Sequence, residues 1–477
     1  MAVIQPVRIN PGLRSSLSNL AKPLQEIEPQ STDWILISVV GVLFVIGQLM
    51  AYSTTFYWSM SQEGNPYSIY LKQLGYGVGG LVLFVIFSRI DYGRWNRTAL
   101  TAIAIIAIAL IAVLLVGTDT FGARRSLFGG SLQPSEPAKI IILMYGAAWL
   151  ASRRKQVTSI TVGLLPFVII IGSMVALIAA EPDISTSLII LLAASAMFFM
   201  AGASLVQIVL TGGAAAGVAY FMVTVFQHVS NRLSGCANGC ENVFQINRAL
   251  IAIGSGGLFG SGMGLSYQKF GFLPMSHTDS VIAVVAEEMG LLGVALVLAL
   301  FAIMAYRALR IAQRADTTFG AFWAVGLITW IMMQAVLNFL ANNAIIPLPG
   351  VPVPFISYGG SSLISVLVAS GILVSISRGT RFISKSSEDQ DDEEEKSRGG
   401  NAEKVASSDI RRRNSGTRTT RTNRSGRSED ASTTEYIGRD VKFKPRLGRG
   451  SDTTGAGGAI RWRNGRYGTG TRNTRGR

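Results

Sequence analysis

The segment 272–293, FLPMSHTDSVIAVVAEEMGLLG, sets His277, Thr278, Asp279, Glu287 and Glu288 into an otherwise apolar run. Carboxylates inside a membrane span are costly and normally face a polar interior or a water-filled cavity. Ser276 and Asp279 have the spacing of a capping box at the head of a helix, which would give Asp279 a purely structural role. That explanation does not reach Glu287 and Glu288. At 100° per residue Glu287 lies about 80° from Asp279 around a helix and Glu288 about 180° away, so Glu287 can share a face with Asp279 and Glu288 must be satisfied elsewhere. The residues alone leave the capping role and a functional role for Asp279 both open.

Three further segments carry polar chemistry. In LQPSEPAKIIILMYG, Ser135 can cap a helix, Glu136 falls in its first turn, Pro137 is tolerated there, and Lys139 lies on the same face as Glu136. A helix-end ion pair and an anion site shared with the nearby Arg124 and Arg125 are equally compatible with that pattern. Residues 252–274, AIGSGGLFGSGMGLSYQKFGFLP, are glycine-rich, but no strand precedes them and no G-x-x-x-x-G-K-[ST] occurs, which argues against a nucleotide loop. Such glycines let the backbone bend toward a neighbour or a lipid headgroup, with Gln268 and Lys269 as contacts. PLPGVPVPFISYGGSS is rigid and irregular, a form tolerated at membrane depth only when buried in protein or lining a cavity, here the same cavity as Asp279.

The elements that must position these residues are membrane helices. The chain has 477 residues, 49% hydrophobic and 15% charged. Apolar runs long enough to cross roughly 30 Å of hydrocarbon fall at 34–54, 69–88, 99–117, 135–152, 161–180, 184–203, 206–227, 280–304, 319–340 and 361–378. The reading is an all-α polytopic membrane protein of about ten transmembrane helices, without the alternation of a β-barrel. Basic clusters at 88–97, 152–156, 306–314 and 377–382 share one side if the ten spans alternate, which puts both termini in the cytoplasm. Arg124 and Arg125, a loop over 228–279, the EPD turn at 181–183 and the segment 341–360 then face outward. Residues 1–33 form a cytoplasmic N-terminal segment with no cleavable signal, and 34–380 the membrane domain.

The remainder, 381–477, holds 23 Lys/Arg against 14 Asp/Glu, so +9 of the chain's +15 lies there. It lacks the apolar content to fold, and is expected to be a disordered basic C-terminal tail on the cytoplasmic side rather than a nucleic-acid binder. Cys236 and Cys240 lack the spacing and histidines of a zinc site, and leave a small disulfide and free thiols as open alternatives.

Taken together, GARRSLFGGSLQPSEPAK, EPDISTSLIILLAASAMFFMAG, the stretch from ALIAIGSGG to AEEMGLLG, and PGVPVPFISYGGSSL resemble the SEDS family (shape, elongation, division, sporulation) over about residues 34–380. The resemblance implies a peptidoglycan glycosyltransferase polymerising lipid II on the outer face of the plasma membrane beside a class B penicillin-binding protein. It implies that Asp279, in SHTD, is the essential acid and acts as a general base. It marks Arg124, Arg125, Glu136, Lys139, Glu181, Asp183, Lys269, His277, Ser357 and Tyr358 as the other polar site positions. It allows a divalent cation, Mg2+ or Mn2+, at the pyrophosphate, and division or elongation proteins as partners of the tail. Leu127 and Phe128 stand where the family usually has Trp-Ile, and Pro137 where an aromatic is commoner. A lipid II flippase and a non-catalytic scaffold that recruits a transpeptidase are the rival functions.

Overall fold

The computed structural model describes residues 32–379, apart from 121–122, 127–132 and most of 205–242. The expected span 206–227 falls largely outside the described residues, as do the N-terminal segment to residue 31, the basic tail and Cys236. Cys240 is disulfide-bonded.

Ten α-helices are described: α1 Trp34–Glu63, α2 Ser68–Arg89, α3 Gly93–Val116, α4 Ser135–Ser152, α5 Leu165–Ala180, α6 Ile184–Met200, α7 Phe244–Gly256, α8 Val281–Arg314, α9 Thr318–Asn342 and α10 Gly360–Ser377. Nine coincide with expected spans. Among the described residues seven helical segments are long and apolar enough to cross a membrane: α1, α2, α3, α5 with its leading turn Ile160–Leu164, α8, α9 and α10. Helix α6 is apolar but shorter. Helix α7 was not anticipated, because it lies inside the segment 228–279 that reads as a loop. A short hairpin, β1 Thr118–Thr120 with β2 Ala123–Ser126, is the one departure from all-α structure among the described residues.

Local sequence explains several boundaries. Asp33 caps α1 by accepting from the Leu36 N–H, Asp183 caps α6 through the Thr186 N–H, and Thr317 caps α9 through the Gly320 N–H. Two expected caps do not form. Helix α4 starts after Pro134, with Ser135 inside the helix. Helix α8 starts at Val281 after an uncapped Ser280, so Ser276 and Asp279 are not a capping box. Residues 275–280 instead form a turn in which the Thr278 and Ser280 N–H groups both donate to the Met275 carbonyl. Because Asp279 precedes the helix, the wheel argument linking it to Glu287 does not apply.

One end of the bundle gathers the basic clusters. Arg307 on α8 holds Asp33 at 2.6 Å, the Asp33 N–H donates to Ser377 Oγ at the foot of α10, Ser375 Oγ donates to the Ile90 carbonyl, and Arg378 donates to the Ser88 carbonyl. Asp33, Ser377 and Arg378 therefore lie at the same end of the bundle. Asp279 lies at the opposite end, at the head of α8.

Helix α8 is broken in its first third. Gly290 has φ 69° and ψ −169°, about 13 Å below the helix head at 1.5 Å per residue. The intrahelical bonds lost there are replaced by the glycine-rich segment after α7. The Ser261 and Gly262 N–H groups donate to the Glu287 and Glu288 carbonyls, while the Leu291 and Leu292 N–H groups donate to the Gly257 and Leu258 carbonyls. The segment after α7 thus dips into the membrane domain as a hairpin and returns. Its tip exposes Leu258, Phe259, Met263 and Leu265, and its returning limb carries Tyr267, Phe270 and Phe272. Exposed apolar side chains at the tip with aromatics on the returning limb are the layering expected of a membrane-inserted element. Gly260 lies directly on the Glu288 carbonyl, where a Cβ has no room, and its φ of 81° is one that only glycine adopts freely. We expect Gly260→Ala to cost roughly 2–3 kcal/mol in detergent unfolding. Gly254→Ala, whose Cβ meets nothing within 4 Å, should leave stability unchanged or slightly raised.

Candidate functional site

Three consecutive carbonyls hold the turn that carries Asp279. The His277 carbonyl accepts from the Tyr358 N–H at 2.8 Å, and the Thr278 carbonyl from Ser357 Oγ at 2.6 Å. The Asp279 carbonyl accepts from two amides of α9, Asn338 Nδ2 at 2.8 Å and Asn342 Nδ2 at 3.0 Å. Four donors on two segments thus fix the backbone from which the half-exposed Asp279 side chain projects. His277 is wedged between the Trp58 and Tyr358 rings, with centroids 5.5 and 5.8 Å away. Its Nδ1 is buried without a partner, and burial pushes the imidazole down to about 4, so it is neutral at physiological pH.

The amides belong to a ladder on one face of α9. Gln334, Asn338 and Asn342 lie four residues apart, and all three are fully buried or nearly so. Gln334 Nε2 donates to the Pro352 carbonyl at 2.8 Å and Asn338 Nδ2 to the Val351 carbonyl at 2.9 Å. One helix face therefore grips the proline-rich segment and the Asp279 turn together. At the foot of the ladder Gln334 Oε1 accepts from Trp330 Nε1, and Lys139 lies 4.8 Å above the Trp330 ring. Lys139 and Glu136 form the expected ion pair, at 2.9 Å and buried. Ser185 Oγ donates to the Pro349 carbonyl, Gln133 bridges Ser135 and Asp183, and Glu181 is fully buried.

Lys269 lies elsewhere than a headgroup contact would. It is 3% exposed, and its ammonium meets Glu288 at 2.8 Å, Ser53 Oγ on α1 at 2.8 Å and the Gly264 carbonyl at 2.7 Å. Glu287 accepts from Ser266 Oγ at 2.5 Å and the Tyr267 N–H at 2.8 Å. Glu287 and Glu288 thus anchor the returning limb of the hairpin, each through a partner from that limb.

The structure brings His277, Asp279, Ser357 and Tyr358 together and links Glu136 and Lys139 to them through the α9 ladder. Arg124 and Arg125 lie on β2, and their side chains are outside the described residues. Sequence reading passed over Gln334, Asn338 and Asn342, although three amides four residues apart at the end of an apolar span are the pattern that intramembrane polar residues make when they do work.

Fold and site define a multi-pass helical membrane protein with a carboxylate fixed at one end of its bundle. A family model described as "Cell cycle protein", covering FtsW, RodA and SpoVE, matches residues 33–382, and the chain belongs to that family. It is 34% identical to Stage V sporulation protein E of Bacillus subtilis over 363 residues, 74% of this chain and 98% of the relative. It is 32% identical to the protein named "Probable peptidoglycan glycosyltransferase FtsW" of Trichlorobacter lovleyi over 381 residues, 78% of this chain and 99% of the relative. Among solved structures, a chain of a peptidoglycan synthase complex shares its fold with TM-score 0.60 at 23% identity, over 73% of this chain and 98% of that one.

Two outcomes are expected. Asn338→Ala removes a donor from the Asp279 and Val351 carbonyls and should cost about 2 kcal/mol of stability in detergent unfolding. For His277 the folded pKa lies below the unfolded value of 6.5. The unfolded chain therefore takes up a proton that the folded protein refuses, and stability held above pH 6.5 falls as pH drops toward about 4. Melting temperatures recorded from pH 7.5 to 4.5 should fall less for His277→Gln than for the wild type.

Proposed function

We propose that the chain is a peptidoglycan glycosyltransferase that polymerises lipid II on the outer face of the bacterial plasma membrane, in division or elongation. The observation that carries this reading is the backbone-clamped carboxylate of Asp279, in a chain that spans nearly the full length of FtsW relatives named for that activity. The positive-inside rule, applied to the basic clusters at the opposite end, supports an outward-facing Asp279, on the side where a lipid-linked sugar is presented.

In the proposed reaction Asp279 takes the proton from a sugar hydroxyl of one lipid II as that oxygen bonds to the anomeric carbon of another. The bond from that carbon to the pyrophosphate breaks, its electron pair leaves with the polyprenyl pyrophosphate, and the configuration inverts. Asp279 then returns its proton to water. Such a leaving group needs charge stabilisation more than a proton. Arg124 and Arg125 are assigned that task. The charges of Lys139 and Lys269 are taken up by Glu136 and Glu288, so these lysines brace the site. Ser357, Tyr358, Asn338 and Asn342 position Asp279, His277 packs beside it as a neutral ring, and Glu181 and Asp183 support the facing turn.

Among the described residues no group of three or more His, Cys, Asp or Glu is arranged to hold a metal. A Mg2+ or Mn2+ ion at the pyrophosphate would then rest mainly on the substrate's own oxygens. A class B penicillin-binding protein is the proposed partner, in keeping with the likeness to a chain of a peptidoglycan synthase complex. The basic tail is assigned to contacts with other division or elongation proteins.

The test is polymerisation of lipid II by purified protein, with and without the transpeptidase. Asp279→Asn should lower glycan synthesis about 100-fold or more while leaving the melting temperature unchanged. Wild-type protein that moves lipid II across a bilayer without making glycan would establish the flippase instead. Full synthesis by Asp279→Asn would remove the general base.

A further inference from the structure

Every described cation at the Asp279 end has a carboxylate partner except one. Lys72 pairs with Glu63 at 2.7 Å, Lys139 with Glu136, and Lys269 with Glu288. Arg248 has no such partner among the described residues. Its guanidinium lies over two aromatic faces, 5.3 Å from the Phe244 centroid and 5.8 Å from that of Phe272. Rings in that position fix the plane of a guanidinium without neutralising it, and leave its N–H donors free for another ligand.

Its depth follows from the geometry of α7. Gln245 Nε2 donates to Ser280 Oγ at 3.0 Å, which places the head of α7 beside the residue that follows Asp279. Arg248 lies one turn further on, about 4.5 Å along the helix. The deeper end of α7 leads to the hairpin tip, with Leu258 and Phe259 exposed at 61% and 79%. Tyr267 and Phe272 stack beside Arg248 with centroids 4.9 Å apart. Away from the hairpin tip the order is exposed apolar side chains, aromatic rings and arginine, with the Asp279 turn adjacent. That is the level at which a bilayer presents lipid phosphates.

We propose that Arg248 is a phosphate-binding residue, held by Phe244 and Phe272 to receive the phosphate of a membrane lipid: the pyrophosphate of the lipid-linked substrate or the headgroup of an anionic phospholipid. The substrate arm rests on the glycosyltransferase reading and the phospholipid arm does not. A planar guanidinium can hold two phosphate oxygens at once, and no carboxylate among the described residues competes for it.

The test measures binding rather than turnover, so its failure is distinct from failure of the polymerase reading. Full-length wild type, Arg248→Gln and Arg248→Lys in neutral detergent are titrated with undecaprenyl pyrophosphate, phosphatidylglycerol and uncharged undecaprenol, with melting temperature as the check on folding. Arg248→Gln should weaken one phosphate lipid about ten-fold. Arg248→Lys should retain part of that affinity, and undecaprenol should bind all three proteins equally. Loss confined to undecaprenyl pyrophosphate identifies the substrate as the ligand, and loss confined to phosphatidylglycerol identifies the bilayer. Equal affinity of wild type and Arg248→Gln for both phosphate lipids overturns the proposal. So does an equal loss for undecaprenol, which would mean damaged packing.

Discussion

Everything at this end of the molecule depends on the capture of three successive carbonyls, those of His277, Thr278 and Asp279. A turn at the head of a membrane helix has no regular partners for its backbone, and unpaired groups near the hydrocarbon are costly. Here each is met by a donor from a different place: a backbone N–H, a serine hydroxyl and a pair of asparagine amides. The same donors reach into the proline-rich segment, so two irregular stretches from distant parts of the chain become one rigid unit.

The buried charges follow a related logic. The Lys269–Glu288 pair joins elements that apolar packing alone would leave free to slide. Lys269 and Glu288, with Ser53, tie the returning limb of the hairpin to α8 and α1, and Lys139 and Glu136 sit under the amide ladder of α9. Replacing such pairs with apolar side chains can be neutral for stability, so their value here lies in specifying one register. The break at Gly290 belongs to the same scheme. It frees two carbonyls and two N–H groups from α8 and gives them to the hairpin, a backbone joint that Ser261 Oγ reinforces on the Glu287 carbonyl.

The membrane class and nine of the helices were legible in the sequence, because long apolar runs are strong signals; His277, Asp279, Ser357 and Tyr358, which the structure brings together, were marked by the family resemblance. The capping box was misread: Ser276 and Asp279 have the right spacing, but the chain enters α8 four residues later than that box requires, through a turn that tertiary partners stabilise. Helix α7 was hidden because its hydrophobic face is short and it was counted within a loop. Lys269 could not be placed, since nothing in the sequence separates a lysine that meets a headgroup from one that meets a glutamate 19 residues away. The ladder of Gln334, Asn338 and Asn342 was present as a period of four, but amides carry no charge and drew no notice inside an apolar helix.

The length of α1 has a consequence of its own. Its 30 residues extend about 45 Å, half as long again as the hydrocarbon layer it crosses. Its foot is tied through Asp33 to Arg307, and its far half supplies Ser53 to the Lys269 group and Trp58 to the side of His277. A helix longer than its membrane answers mismatch by tilting, and this one is fastened at both extremities to other parts of the bundle. Bilayer thickness is thereby felt at the Asp279 turn, which makes the lipid matrix a structural component of that end of the molecule as well as the solvent around it.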